Sequence, residues 1–228
     1  MGLENLSQKK IDWMTFRLIP SRDPPINVFG RVSNPEEFEV LYEIEAMTNE
    51  RLRAEQNLLH LMPKEEWVFG NNASYIMGPF LHLNPEGSRF SDGSFGIYYC
   101  SKSLKTALEE TGYHREIFMR RTQEKSMHLE MRLIKARLKG RFHDIRNVRE
   151  ELSGVYDKES YSAGQELGLK LKTEGSQGIL FKSVRDSISK KNNCGAVFRP
   201  KNLSNPQISG HFIYVWNGDK IVSFYEKK

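Results

Sequence analysis

What the chain lacks narrows its functions first. Only two cysteines, Cys100 and Cys194, occur in 228 residues. They lie far apart, each in an apolar run, so the pattern predicts two buried thiols; a disulfide framework needs more cysteines, and a zinc site needs clustered ligands. No apolar run approaches the roughly 18 residues of a membrane span. The opening MGLENLSQKKIDW has no signal-peptide core and fits the myristoylation pattern poorly. These absences predict a protein of the reducing cytoplasm with no membrane partner and no metal. No internal repeat, low-complexity tract or linker is visible. No P-loop, dinucleotide fingerprint or hydrolase elbow is present, because GSFG lacks the spacing. A Ser/His/Asp triad can be assembled from the residues on offer, as in any globular chain.

Enough apolar sequence is present to build a core: 38% hydrophobic residues, with 17 glycines besides. The net charge is +5, from 34 Lys+Arg against 29 Asp+Glu. That excess suits an anionic partner, either nucleic acid or a phosphorylated small molecule. The cations are scattered, without an arginine-rich arm, which argues against direct nucleic-acid binding.

The pattern of elements points to a mixed fold. WMTFRLIP reads as a strand ended by proline. Asn34 caps a helix with Pro35 at its first position, and Phe38, Leu41, Ile44 and Met47 repeat at helical spacing. A second amphipathic stretch runs over 49–62. WVFG and ASYIMGPFLHL read as strands or buried loop, and 84–94 reads as loop. FGIYYC is a strand and the segment 101–121 a helix. MHLEMRLIKARL alternates as a half-buried strand. YSAGQELGLKLKTEG carries a capping box from Ser162 to Gln165 and stops at Gly175. GILFKS, CGAVFRP, HFIYVW and KIVSFYE add four strands. Strands mixed with helices predict an α/β or α+β fold, a central mixed β-sheet with flanking helices, in one domain over 1–228 with a core at about 13–216.

Several polar residues stand where chemistry is often placed. On the helix after Ser101, Leu104, Ala107, Leu108, Thr111 and Phe118 share one face. Glu109 points into water, whereas Glu110 borders the apolar stripe with His114 one turn on. That pair is either a surface i,i+4 contact or part of a site. Alternation places Tyr99 and Tyr98 on opposite strand faces, so one can enter the core while the other lines a site. Arg89 lies in a glycine-bearing loop and can fork onto a phosphate, or simply be solvated. Ser183 and Arg185 leave a strand end, a ligand position or a turn. Arg17, inside the first strand, needs a partner.

The run GSRFSDGSFGIYYCSKSLKTALEETGYH, together with YDKESYSAGQELG, GILFKSVR and CGAVFRP, resembles the RES domain family, named for an arginine, a glutamate and a serine. The similarity extends in order from about Phe16 to Pro200. It departs where short members carry a tighter glycine pair before the arginine and Trp-Asn after it; here the run is GSRFSD. The resemblance implies an ADP-ribosyltransferase-like fold and a bacterial toxin of a type II toxin–antitoxin pair that consumes NAD⁺ as substrate, without a cofactor. Nicotinamide is released to water or phosphate as acceptor, while other members modify a protein; a non-catalytic binding module is a further alternative. The partner it implies is an antitoxin with a helix-turn-helix domain, so nucleic acid is met only through that partner; a homo-oligomer stays open. By the same resemblance the catalytic set is Arg89, Tyr99, Glu110 and Ser183; Arg17, His114 and Arg185 are expected to bind substrate beside it. Arg89 would hold the pyrophosphate with help from Arg17, Tyr99 the nicotinamide–ribose end, and Glu110 the ribose, buttressed by His114, while Ser183 would hydrogen-bond the substrate.

Overall fold

The computed structural model describes residues 6–22, 28–48, 62–186, 189 and 191–228. The predicted amphipathic stretch at 49–62 lies outside these residues except for Met62. In chain order the elements are β1 Gln8–Pro20, α1 Pro35–Thr48, α2 Ser74–Leu81, β2 Tyr98–Ser101, α3 Leu104–Arg121, β3 Met127–Asp144, α4 Ser162–Thr173, β4 Gly178–Lys182, β5 Asn193–Val197, β6 Leu203–Trp216 and β7 Ile221–Lys227.

The strands form one seven-stranded mixed sheet in the order β1-β2-β5-β4-β3-β6-β7, and β1 also pairs with β3. Five strands therefore close into a ring, β1-β2-β5-β4-β3. Its weakest seams are β1–β2, joined at Phe16 and Ser101, and the parallel β3–β4 contact at 143–144 with 179–180. The long β1–β3 ladder runs antiparallel from Gln8 opposite His143 to Pro20 opposite Met131. The predicted fold class, a central mixed sheet with flanking helices, is the observed one.

Period-two alternation sorts the side chains to the two faces of the ring. Inward, Tyr98, Cys100, Ala136, Leu138, Phe142, Leu180 and Val197 form one core with Ile76 and Phe80 of α2. Outward, Phe181, Cys194 and Ala196 pack with Phe90 and with Leu167 and Leu171 of α4, and Tyr99 leans on that cluster. Ala107 and Leu108 of α3 cover Leu18, Met131, Leu133, Phe212 and Tyr214. Burying each such large apolar side chain is worth about 1.5–3 kcal/mol. Both cysteines are free and buried.

Four local expectations need correction. Ser74–Leu81 is a helix, not strand or loop. It is buried on most sides, so no amphipathic period marks it, and Pro79 lies inside it. On α1, Asn34 Oδ1 does accept the Glu37 N–H at 2.8 Å. The apolar residues of α1 split over two faces, however: Phe38 and Tyr42 are buried, while Val40, Ile44 and Met47 are exposed. On α3, Phe118 is exposed beneath Arg115, and Met119 is buried instead. The Ser162–Gln165 capping box does not form; the Gln165 amide donates to Ser88 O at 3.1 Å.

Candidate active site

Three segments converge on the outer face of the ring. The 84–97 loop carries Arg89, α3 carries Glu110, and the turn after β4 carries Ser183. Helix α3 starts at a side-chain cap, with Ser103 Oγ accepting from Thr106 N–H. That cap starts the helix, and the packing of Ala107 and Leu108 on the sheet sets the phase that turns Glu110 toward the end of β4.

Ser183, 1% exposed, fixes the geometry. Its Oγ accepts the backbone N–H groups of Arg185 at 3.1 Å and Asp186 at 2.8 Å. A hydroxyl has two acceptor lone pairs and one proton. With both lone pairs taken, the proton goes to Glu110 Oε1, to which Ser183 Oγ donates. The carboxylate is thereby addressed as an acceptor. Burial raises the Glu110 pKa above the ordinary glutamate value, opposed by the Ser183 bond and then by the charges of Arg89 and Arg185.

Arg89 is a buried cation, 8% exposed. Its Nη1 donates to Val155 O and Asp157 O, both at 2.8 Å, and its guanidinium lies 4.8 Å from the Tyr161 ring centre. Burial lowers its pKa, and Tyr161 and Glu110 oppose that. Among the described residues the hydrogen bonds of this fork are made through Nη1, and a guanidinium can pair with an anion through its other N–H groups. Tyr99 shapes the loop around Arg89. Its hydroxyl meets Ser88 Oγ at 2.9 Å and accepts the Phe90 N–H at 3.0 Å, so it grips both neighbours of Arg89. Burial pushes the Tyr99 pKa up to about 12, which keeps it a neutral donor.

Helix α4 presses the same loop from the other side, and glycine permits the approach. A Cβ on Gly164 would lie 2.3 Å from Arg89 O, and one on Gly168 would lie 1.9 Å from Phe90 O.

The other expected residues are placed differently. Arg185 lies flat on Tyr113, 3.3 Å from its ring centre, and donates to Lys158 O at 2.7 Å. It braces α3 to the 157–161 segment while its charge still acts on Glu110. Arg17, expected to help Arg89, is placed on the inner side of the ring. It sits 4.9 Å from the ring centre of Tyr98, on the inward side, and donates to the backbone oxygen of Tyr99 at 2.8 Å. Period-two alternation on β1 is the reason: Arg17 shares its face with Thr15, opposite to Phe16 and Leu18, which meet α3.

His114, expected to buttress Glu110, stands one turn further along α3. No hydrogen bond joins it to Glu110 among the described residues, because Glu110 is turned inward to Ser183. The residue as a whole is exposed. Its ring stands edge-on to Tyr113, and its pKa is pushed down to about 4, by the protein around the ring first and then by Arg185, Arg115 and Arg89. Glu109 is half-buried rather than in open water. It borders a neighbouring cleft of about 250 Å³ with Gly112, Tyr113, Lys158, Arg185 and Phe224 among its lining.

Sequence reasoning missed Tyr161, Gln165, Thr106, Asp186 and Asn192. Tyr161 and Gln165 stand inside YSAGQELG, a motif whose two glycines signal a close approach. Asp186 follows the Ser183–Arg185 pair directly. Among the described residues no group of three or more His, Cys, Asp or Glu is arranged to hold a metal ion, and no helix is long and apolar enough to cross a membrane.

A mixed sheet ring with an arginine, a glutamate and a serine gathered on its outer face defines the class to which this molecule corresponds. The chain belongs to the RES domain family, which it matches over residues 66–217. It is similar to the uncharacterized protein y4oC of Sinorhizobium fredii (strain NBRC 101917 / NGR234), at 35% identity over 212 residues, which is 92% of this chain and 86% of that protein. It also aligns with a chain in the crystal structure of the M. tuberculosis MbcT–MbcA toxin–antitoxin complex, with a TM-score of 0.49 and 9% identity, over 95% of this chain and 90% of that one. The match over residues 66–217 and the 35% identical relative show the family membership that the sequence motifs imply.

Proposed function

We propose that the protein cleaves the bond between nicotinamide and ribose in NAD⁺. One observation carries this reading: a half-buried carboxylate, Glu110, addressed as an acceptor by Ser183 and lying in the field of two guanidiniums, Arg89 and Arg185. Such a site suits a ligand that is anionic at one end and develops positive charge at the other.

In that reaction the electron pair of the C1′–N1 bond leaves with nicotinamide. The nitrogen loses its positive charge, and oxocarbenium character builds on the ribose. Arg89 would hold the pyrophosphate through its other N–H groups, with charge-assisted hydrogen bonds worth about 1.5–3 kcal/mol each. Glu110 would receive the ribose hydroxyls and stabilise the positive charge as it forms, an interaction strongest in the transition state. Ser183 would keep that carboxylate ionised and aimed. Tyr99 would act chiefly by holding Ser88 and Phe90, and so Arg89, in place. Arg185 would act as a brace. Water adding at C1′ and losing a proton gives ADP-ribose; phosphate adding there gives its 1″-phosphate. Through its family the protein would be a toxin restrained by an antitoxin carrying a helix-turn-helix domain.

Product analysis with and without phosphate tests this reading. Free nicotinamide together with ADP-ribose or its 1″-phosphate supports it. Label from NAD⁺ ending on protein points to ADP-ribosyl transfer, and the absence of any nicotinamide overturns the reading.

A further inference from the structure

Asp186 lies outside the arginine–tyrosine–glutamate–serine set, yet it is a carboxylate only 3% exposed. A buried carboxylate is costly unless its hydrogen bonds are made. Here one of them comes from the helix that carries Glu110. Thr106 Oγ1, on a fully buried residue, donates to Asp186 Oδ2 at 2.8 Å, and Ser189 N–H donates to Asp186 Oδ1 at 3.1 Å.

The spacing gives this contact a consequence. Thr106 and Glu110 are i,i+4 on α3, one turn apart on the same edge. Ser183 and Asp186 are three apart on the turn after β4. Ser183 meets Glu110 and Asp186 meets Thr106, so the turn grips two successive turns of the helix at two points. The turn itself is tied: Asn192 Nδ2 donates to Ser183 O at 3.3 Å and to Asp186 O at 2.8 Å, and Ser183 N–H donates to Asn192 O at 2.8 Å. The Asp186 N–H also occupies one of the two lone pairs that force the Ser183 proton toward Glu110.

We infer that Asp186, through Thr106, is a positioning residue for the carboxylate site: it locks the α3 edge to the Ser183 turn so that Ser183 stays aimed at Glu110. This deepens the proposed reaction and rests on Glu110 being its working carboxylate, but the geometry of the grip is measurable without turnover. The titratable and charged groups facing Glu110 are Arg89 from the 84–97 loop, Arg185 from the turn after β4 and Cys194 from β5. Thr106→Val removes one hydroxyl and alters none of these charges.

The test is the titration of the Glu110 side chain, followed by NMR of ¹³C-glutamate-labelled full-length protein and assigned through Glu110→Gln, beside kcat and KM for NAD⁺. Losing the grip weakens the Ser183 bond, which holds the Glu110 pKa down. In Thr106→Val the titration midpoint should therefore rise by about 0.5 in pH or more, while Thr106→Ser, which keeps the hydroxyl, restores it. With turnover, kcat should fall about tenfold at nearly constant KM. If Thr106→Val does not fold, Asp186→Asn decides. Removing its negative charge alone would lower the Glu110 midpoint, so a rise supports the grip and a fall overturns it. A folded Thr106→Val protein with an unmoved midpoint also overturns it. Absence of NAD⁺ cleavage by the wild type defeats the reaction proposed above but leaves the titration to judge the grip.

Discussion

The Ser183 hydroxyl donates to the Glu110 carboxylate across 73 positions of sequence. Two backbone N–H groups occupy the serine's lone pairs, so the direction of that bond is fixed by the turn that holds it. A small hydroxyl at the end of β4 thus favours the ionised form of a carboxylate on α3, against the burial that raises its pKa.

Glu110→Gln keeps the shape of the side chain and its contact with Ser183 but removes the charge. Turnover should fall at least about a hundredfold, which is about 2.7 kcal/mol of barrier. Glu109→Gln, one position away on a different helix edge, should stay near wild type. Steady-state NAD⁺ kinetics on both proteins check this; an equal loss in the two would mean that charge in the region, not Glu110, is what matters.

The pH dependence follows from the direction of the Glu110 shift. Its folded-state pKa is raised, so the ionised form is lost on acidification at a higher pH than for an ordinary glutamate. The acidic limb of kcat should lie above that ordinary value, and Ser183→Ala should move it higher still by removing a bond that lowers the pKa. The sign for stability is opposite to that for activity. A raised carboxylate pKa contributes stability below the unfolded value and loses it as pH rises through the folded one. Glu110→Gln should therefore be no less stable than wild type at neutral pH, in thermal melts, although it is inactive.

Gly168→Ala tests the seat of the arginine loop. The added methyl would meet Phe90 O at 1.9 Å, where backbone on both sides resists movement. A loss of about 1–3 kcal/mol in stability is expected from overpacking, with KM for NAD⁺ rising as Arg89 is displaced. A denaturation midpoint equal to wild type would show that α4 yields and the loop does not need it.

Tyr99→Phe removes the hydroxyl that joins Ser88 and Phe90. The Phe90 N–H is then left without its partner, at about 1–3 kcal/mol. The expected signature is a higher KM with a smaller change in kcat. A selective loss of kcat would instead mean that the phenol touches the reacting bond.

The sequence made the strand–helix unit legible for physical reasons. Ser103 supplies a cap, the apolar positions of α3 set its phase, and that phase separates Glu110 from Glu109. Alternation separated Tyr99 from Tyr98 equally well: Tyr98 is fully buried in the inner core, and Tyr99 reaches the loop. Alternation alone did not say which way Arg17 faces, because the ring gives each strand face a different environment and the closure of β1 onto both β2 and β3 is not written in any one strand. Helix α2 was invisible because an element buried on nearly all sides has no period. Tyr161, Asp186 and Thr106 were invisible because their roles depend on contacts between segments distant in sequence, such as the 80 positions between Thr106 and Asp186.

The most direct measurement is nicotinamide release from NAD⁺ by purified wild-type protein and Glu110→Gln, side by side, with folding of both checked by circular dichroism. The account expects release by the wild type and at least a hundredfold less by the folded variant. No release by the wild type, or undiminished release by Glu110→Gln, would contradict it.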